Sequence, residues 1–391
     1  MRNAEPAPGD YECRARVHVC GMRNEIKQGN HYDRTLLFVI LMLLVISVVM
    51  VYSSSSIVAL TAYDDPAFFM KRQILWALVG LAMMAITMRL DHRVFGDQRV
   101  VIGLVAVSLL LLAATLMPGI GKMINGSRRW LRLGMFSFQP SELAKFTLVV
   151  YMSYFIAKKG ERLRDFTNGL VPAYVVTGIF LVIAILQPDF GATMTVAGVV
   201  SIMLFAGGAN LLHLGGTALA VLPFLYVAVT HSAYRARRIF AFLDPWADPQ
   251  GSGHQIIQSF LAFGSGGVFG RGLGEGRQKL LFLPERHSDF IYAVIGEELG
   301  LIGALVVLAL FFVILWRGIR IALAVGDMFS RMLALGITVL ICAQGMINMA
   351  VVTGLLPTKG IALPLVSYGG SSLVITLGAL GVLLSISREA A

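Results

Sequence analysis

The chain has 391 residues, of which 57% are hydrophobic and only 14% charged, with a formal net charge of +10. That composition is too apolar for a soluble domain and normal for a protein that crosses a membrane many times. No nucleic-acid partner is expected; lipid is.

The first 34 residues are polar and no hydrophobic stretch precedes the first span, so no cleavable signal is expected. This tail (1–34) reads as a disordered or docking segment on the cytoplasmic side. Its Cys13 and Cys20 flank His18, but the spacing matches no zinc pattern. The third cysteine, Cys342, lies in an apolar run and is read as packing.

A transmembrane helix needs about 20 mostly apolar residues. "LLFVILMLLVISVVMVY" (36–52) and "VVIGLVAVSLLLLAATLM" (100–117) qualify outright. Hydropathy predicts ten helices, near 36–53, 67–88, 100–117, 143–157, 171–187, 192–209, 213–230, 289–317, 330–353 and 363–386. The predicted class is therefore an all-α polytopic membrane protein with ten transmembrane helices and both termini cytoplasmic. Connections 89–99, 158–170 and 317–331 are basic on balance and fall on one side, which the positive-inside rule makes the cytoplasm.

Two connections break that rule. Loop 118–142 holds Lys122, Arg128, Arg129 and Arg132 against Glu142. Loop 231–290, the large extracytoplasmic connection between helices 7 and 8, holds Arg235, Arg237, Arg238, Arg271, Arg277, Lys279 and Arg286 against five acids. Either a helix is miscounted, or these cations face an anionic ligand at the outer surface, where Lys and Arg suit phosphate or pyrophosphate. Long connections without structure of their own are uncommon and often functional. Within this one, "SGHQIIQSFLAFGSG" predicts a short amphipathic helix lying at the membrane surface, with Ile256, Phe260 and Phe263 at helical spacing.

"GSGGVFGRGLGEG" (264–276) invites a nucleotide-loop reading, but a dinucleotide fingerprint needs a strand before it and a helix after it. Neither is predicted, and no Walker A pattern occurs, so no nucleotide is expected. Turns that let backbone approach closely fit the glycines better.

"LPERHSDFIYAVIGEELG" (283–300) places charge where a span begins. If 284–289 is extended, Glu285, His287 and Asp289 share a face. Ser288 is the expected N-cap of a helix starting at Asp289. Asp289, Ala293, Gly296, Gly300 and Gly303 then fall on one small-residue stripe, which marks close packing in membranes. Asp289 is either a carboxylate placed at the positive end of a helix or a general base in an external cavity. A helix N-terminus makes it a weaker base, and burial under loop 231–290 acts the other way. Glu297 and Glu298 lie about 12 Å deeper at 1.5 Å per residue, where ionisable groups need partners or a cavity. Pairing with a buried basic group is the favoured reading. Glu142 and Lys145 in "QPSELAKF" are three apart on one helix face and are expected to pair; Asp189 in "QPDFG" is a similar intramembrane charge. "GLLPTKGIALPLVSYGGSS" (354–372) reads as a rigid external loop followed by an irregular helix start, with Lys359 and Ser367 as its candidate ligand-binding residues.

Taken together and in this order, "NGSRRW", "QPSELAK", "QPDFGAT", "GHQIIQS", "GSGGVFGRGLGEG", "LPERHSDFIYAVIGEELG" and "LPLVSYGGSS" resemble the SEDS family (shape, elongation, division, sporulation; FtsW/RodA/SpoVE) over residues 35–388. "TGLLPTKGIALPLVSYGGSSL" is similar to the division member, FtsW, rather than the elongation member, where a different dipeptide is expected at Thr358–Lys359. His254 stands where the family commonly has an aromatic residue, and the first 34 residues match nothing in it. The resemblance implies a peptidoglycan glycosyltransferase polymerising lipid II during septal wall synthesis, in the bacterial inner membrane. It implies inverting transfer with undecaprenyl pyrophosphate leaving and Asp289 as the base. It also implies substrate roles for Arg129, Glu142 and Lys145, a divalent cation (Mg or Mn), and a class B penicillin-binding protein among other divisome membrane partners. Lipid II flippase and non-catalytic divisome scaffold are the alternatives. Lys145, Asp189, Glu297 and Glu298 would line the flippase's polar path.

Overall fold

A computed structural model of the chain describes residues 32–117, 119–124, 127–133, 136–231, 233–276 and 288–390. The tail with Cys13, His18 and Cys20, and the segment with Arg277, Lys279, Glu285, Arg286 and His287, lie outside the described residues.

The fold is mostly helical. In chain order the helices are α1 (Arg34–Tyr63), α2 (Phe68–Arg89), α3 (Gln98–Leu116), α4 (Pro140–Lys159), α5 (Val171–Leu186), α6 (Phe190–Ala206), α7 (Leu211–Thr230), α8 (Ala233–Leu243), α9 (His254–Gly266), α10 (Ile291–Glu298), α11 (Gly300–Ala324), α12 (Met328–Val352) and α13 (Gly370–Ser387). Among the described residues seven helices are long and apolar enough to cross a membrane: α1, α2, α3, α5 with the turn before it, α11, α12 and α13. α6 and the first part of α7 are apolar but shorter. α4 has 20 residues and carries the Glu142–Lys145 pair near its start and Lys158 and Lys159 in its last turn.

Three expectations are corrected. The first is the all-α class. Residues 121–138 form a three-stranded antiparallel meander, β1 (Gly121–Ile124), β2 (Ser127–Leu133) and β3 (Phe136–Phe138). Gly121 pairs with Leu131, and Leu131 in turn with Phe138. Short strands outside a hydrophobic span leave almost no hydropathy signal. The second is the helix at 363–386, which begins only at Gly370. Residues 353–369 ahead of it are irregular, with Leu365 at φ 65° and Gly354 at φ 73°. The third is the helix at 289–317, which is two helices. α10 stops at Glu298, and Gly300, at φ 68°, starts α11.

The break between α10 and α11 is repaired by the glycine-rich loop. The Arg271 and Gly272 amides donate to the Glu297 and Glu298 carbonyls at 3.0 Å each. On the other side of the break, the Leu301 and Ile302 amides donate to the Gly267 and Val268 carbonyls at 2.9 and 3.2 Å. The loop thus supplies what an unbroken helix would have supplied to itself. Glycine is required for two reasons. Gly270, Gly272 and Gly274 have φ of 81°, 107° and 86°. A Cβ at Gly266 or Gly270 would also collide with the Gly296 or Glu298 carbonyl.

α9 forms where an amphipathic helix was expected, but it packs on the protein. Its buried residues include Ile256, Ile257, Ser259 and Ala262, while Phe260 faces outward. Phe263 lies over Gly296 and 5.7 Å from Tyr292 of α10. The expected stripe of Ile256, Phe260 and Phe263 is rotated because α9 covers α10 instead of resting on its own apolar face.

One end of the bundle gathers distant parts of the chain. Asp33 caps α1 by accepting from the Leu36 amide, pairs with Arg317 of α11 at 2.6 Å, and donates its own amide to the Ser387 hydroxyl oxygen at 3.1 Å. His92 meets Ser330 of α12 at 2.9 Å, and Arg93 meets Glu389 at 3.1 Å. The described chain's start, the α2–α3 turn, the beginning of α12 and the chain's described end therefore share one face.

α2 and α13 pack closely through small residues. The Thr87 hydroxyl donates to the Gly378 carbonyl at 3.0 Å, and a Cβ at Gly381 would overlap that hydroxyl and the Met84 carbonyl. Gly381→Val is therefore expected to destabilise the protein by about 1–3 kcal/mol through overpacking, read as a lower thermal midpoint in detergent. Gly103→Val, which meets nothing within 4 Å, should leave the midpoint unchanged.

Candidate functional site

Asp289 sits in the turn just before α10. The helix starts at Ile291 with Phe290 as N-cap and no side-chain cap bond, which corrects the expectation that Ser288 caps a helix beginning at Asp289. The backbone at 288–289 is engaged sideways instead. The Ser367 hydroxyl donates to the Ser288 carbonyl, and the Asn348 amide donates to the Asp289 carbonyl at 2.7 Å. Two carbonyls committed to loop 353–369 and α12 hold this turn out of helical continuation.

The carboxylate of Asp289 lies against Gly360. A Cβ at Gly360 would be 3.1 Å from Asp289 Oδ2, so the carboxylate lies beside loop 353–369. That loop is anchored along its length. Arg238 donates to the Thr358 carbonyl at 3.1 Å. Asn348 donates its second amide hydrogen to the Ile361 carbonyl at 2.6 Å, and Gln344 donates to the Ala362 carbonyl at 3.3 Å. The Leu363 amide donates to Ser367 Oγ at 2.8 Å. Ser367, read as ligand-binding, here closes this turn and ties it to Ser288.

Lys359 precedes Gly360, with its ammonium 5.3 Å from the centroid of the Phe190 ring at the start of α6. Burial holds its pKa below the ordinary 10.5. A cation stripped of water gains more from meeting an anion than a solvated one does.

Arg129, on β2, is fastened to the α5–α6 junction. Its Nε donates to the Gln187 carbonyl at 3.2 Å, another nitrogen donates to the Pro188 carbonyl, and a third lies 3.7 Å from Asp189 Oδ1. Asp189 in turn caps α6 through the Ala192 amide at 3.1 Å. Gly191 of α6 sits against Ile361. Arg129 thereby connects the meander, through α6, to the loop that faces Asp289.

Lys145 of α4 is buried. Its ammonium donates to Glu142 Oε1 and to Gln344 Oε1, both at 2.8 Å. The expected three-apart pairing is present, and the second bond joins it to α12. Deeper in, Ser53 of α1 donates to the Glu298 carboxylate at 2.6–2.7 Å, and the Gly274 amide donates to it at 3.2 Å. Glu285 and His287 lie outside the described residues. Among the described residues no three His, Cys, Asp or Glu side chains form a group able to hold a metal ion.

The chain as a whole is similar to proteins of known kind. The model of the FtsW/RodA/SpoVE cell cycle protein family matches residues 34–391. The chain belongs to this family. It is 51% identical over 356 residues, 91% of the chain and 93% of the relative, to a probable peptidoglycan glycosyltransferase FtsW of Trichlorobacter lovleyi. In structure it is similar to a chain of a peptidoglycan synthase complex, solved to show how polymerization and crosslinking are coordinated. That match has a TM-score of 0.75 and 31% identity, covering 92% of this chain and 98% of the other. It is also similar to the rod shape determining protein RodA of Thermus thermophilus, with a TM-score of 0.65 and 28% identity, covering 93% and 98%.

Within this family member, the structure brings Asp289, Lys359 and Ser367 together around one loop and reaches Arg129, Glu142 and Lys145 through one or two intermediaries. Gln344, which carries the link to Lys145, and Asn348, which joins Asp289 to the loop, went unnoticed in the sequence. "CAQGMINMA" does contain a signal: two amides four apart occupy one face of an apolar helix, where polar groups are costly without partners. Lys145→Met is expected to destabilise by up to about 3–5 kcal/mol, because it strands a carboxylate whose side chain is only 12% exposed. Adding Glu142→Gln should recover part of that loss. Thermal midpoints of the two single variants and the double variant check the coupling.

Proposed function

We propose that the chain is a peptidoglycan glycosyltransferase that polymerises lipid II, working with a class B penicillin-binding protein at the division septum. The observation that carries this reading is the Asp289 carboxylate held against Gly360, next to the desolvated Lys359. One group can take a proton and its neighbour can meet an anion, and both are fixed to the same loop.

In this reading the ten helices α1–α7 and α10–α13, with α10 and α11 counted as one, cross the inner membrane. Both termini face the cytoplasm, and the connection 231–290 lies outside. The face that gathers Asp33, His92, Arg317 and Glu389 is the cytoplasmic one. Asp289 takes the proton from the 4-hydroxyl of the acceptor GlcNAc as that oxygen attacks the anomeric carbon of the donor MurNAc. The bond from that carbon to the pyrophosphate oxygen breaks, and undecaprenyl pyrophosphate leaves with the electron pair. Attack opposite the leaving group turns the α-linked donor into a β-1,4 bond. Lys359 answers the charge growing on the pyrophosphate. Glu285 and His287 are proposed to line the same mouth.

A divalent cation is proposed from the family resemblance. The described residues offer no ligand set for it, so no step here passes through one. As for transport, Lys145, Asp189 and Glu298 are each engaged by neighbouring groups at specific junctions. These contacts favour local clasps over a continuous polar path, and so favour polymerase over flippase. A recruiting role for the same chain is compatible with polymerisation.

The decisive assay is lipid II polymerisation by purified protein with its transpeptidase partner. Asp289→Asn should lower the rate by about 10²–10⁴-fold, the usual worth of a general base; glycan strands made at the wild-type rate would remove the base assignment. Lys359 should show itself in the pH profile. It acts while charged, so kcat/KM is expected to fall as pH rises through its depressed pKa, earlier than an ordinary lysine at 10.5 would allow. Lys359→Arg, which stays charged, should move that alkaline limb out of range.

A further inference from the structure

We propose that Asn348 is a positioning residue for the reaction, setting the base and the Lys359 loop against each other. The proposal rests on the reading of Asp289 as the base and extends it to a residue that touches neither substrate nor reacting atom.

Asn348 is almost fully buried in α12, at 2% exposure. Its side-chain nitrogen donates to two carbonyls, Asp289 at 2.7 Å and Ile361 at 2.6 Å. Both acceptors are carbonyl oxygens, so the orientation of the amide is settled: nitrogen toward the two loops, oxygen away. The two segments it joins are 72 residues apart in sequence. One carries the base, and the other carries Gly360, on which the carboxylate rests, and Lys359. One side chain thus spans the place where the Asp289 carboxylate lies beside Gly360.

Asn348 Oδ1 makes no hydrogen bond among the described residues. Leaving a buried acceptor unmatched is costly, and a residue kept only to satisfy itself would not be placed so. Its two donors are what the position uses. α12 is a suitable mount, being among the most buried helices of the bundle, with Gln344 one turn away gripping Ala362 of the same loop. Rigid mounting matters because a displacement of about 1 Å in a catalytic group can cost on the order of a hundredfold in rate.

The test uses the full chain with its transpeptidase partner and lipid II. Asn348→Ala is expected to lower kcat about a hundredfold with KM little changed, because ground-state binding is left intact. Asn348→Ser, which keeps one donor, should fall between alanine and wild type; it also serves if the alanine variant does not fold. The decisive comparison is in the Asp289→Asn background. If Asn348 sets the base against the Lys359 loop, adding Asn348→Ala there costs well under the hundredfold seen in the wild-type background, the remainder being the share carried by Lys359. An equal loss in both backgrounds, or wild-type kcat in Asn348→Ala and Asn348→Ser, overturns the proposal. Wild-type turnover in Asp289→Asn alone would remove the base, and this inference with it. That outcome is distinct from an inactive Asp289→Asn beside a normal Asn348→Ala, which removes this inference only.

Discussion

Inside a bilayer a backbone amide or carbonyl has no water to turn to, so wherever this chain stops being helical within the bundle something else must supply its partners. Among the described residues, three such breaks are repaired by distant parts of the chain. At 187–189 the Gln187 and Pro188 carbonyls are taken by Arg129, and Asp189 caps the next helix. At 299–300 the glycine loop bonds both sides of the break. Over 353–369 the carbonyls of Thr358, Ile361 and Ala362 are taken by Arg238, Asn348 and Gln344. Each repair draws in a side chain or loop from far along the chain, and the proposed chemistry sits where the first and third repairs meet the head of α10.

That constraint changes the meaning of the intramembrane charges. Arg129, Lys145, Asp189 and Glu298 look like a scattered set in the sequence. In the fold each is a clasp at a particular junction: meander to α6, α4 to α12, the start of α6, and the glycine loop to α1. Charged groups that bond to several neighbours in a medium of low dielectric are held firmly, and what they hold is held firmly too. Lys359 is a different case. Its ammonium lies 5.3 Å from the centre of the Phe190 ring and is desolvated by burial, and its proposed role toward an anion rests on that.

Much of this was legible beforehand. Spans as apolar as 36–52 announce themselves, and the pairing of Glu142 with Lys145 follows from helical spacing alone. The close packing of the glycines was visible as composition, but their purpose was not. Repairing a helix break requires knowing that the break exists, and Leu299–Gly300 sits inside a continuous apolar run that hydropathy reads as one helix. The meander at 121–138 escaped for the opposite reason, being too short and too polar for a periodic signal. Asn348 and Gln344 were missed because amides carry no charge to draw attention. Their role is defined by which carbonyls they meet, and that depends on tertiary contacts between segments far apart in the chain. The cap at Ser288 failed because its carbonyl was claimed by Ser367.

The splice has a further consequence for α10 itself. Its C-terminal end is bonded to the glycine loop, and the turn that leads into its N-terminal end is bonded to Ser367 and Asn348. An eight-residue helix is thus anchored at both ends. A helix that short is marginal on its own bonds, so it draws its firmness from the two anchorages and shifts as one rigid peg or not at all.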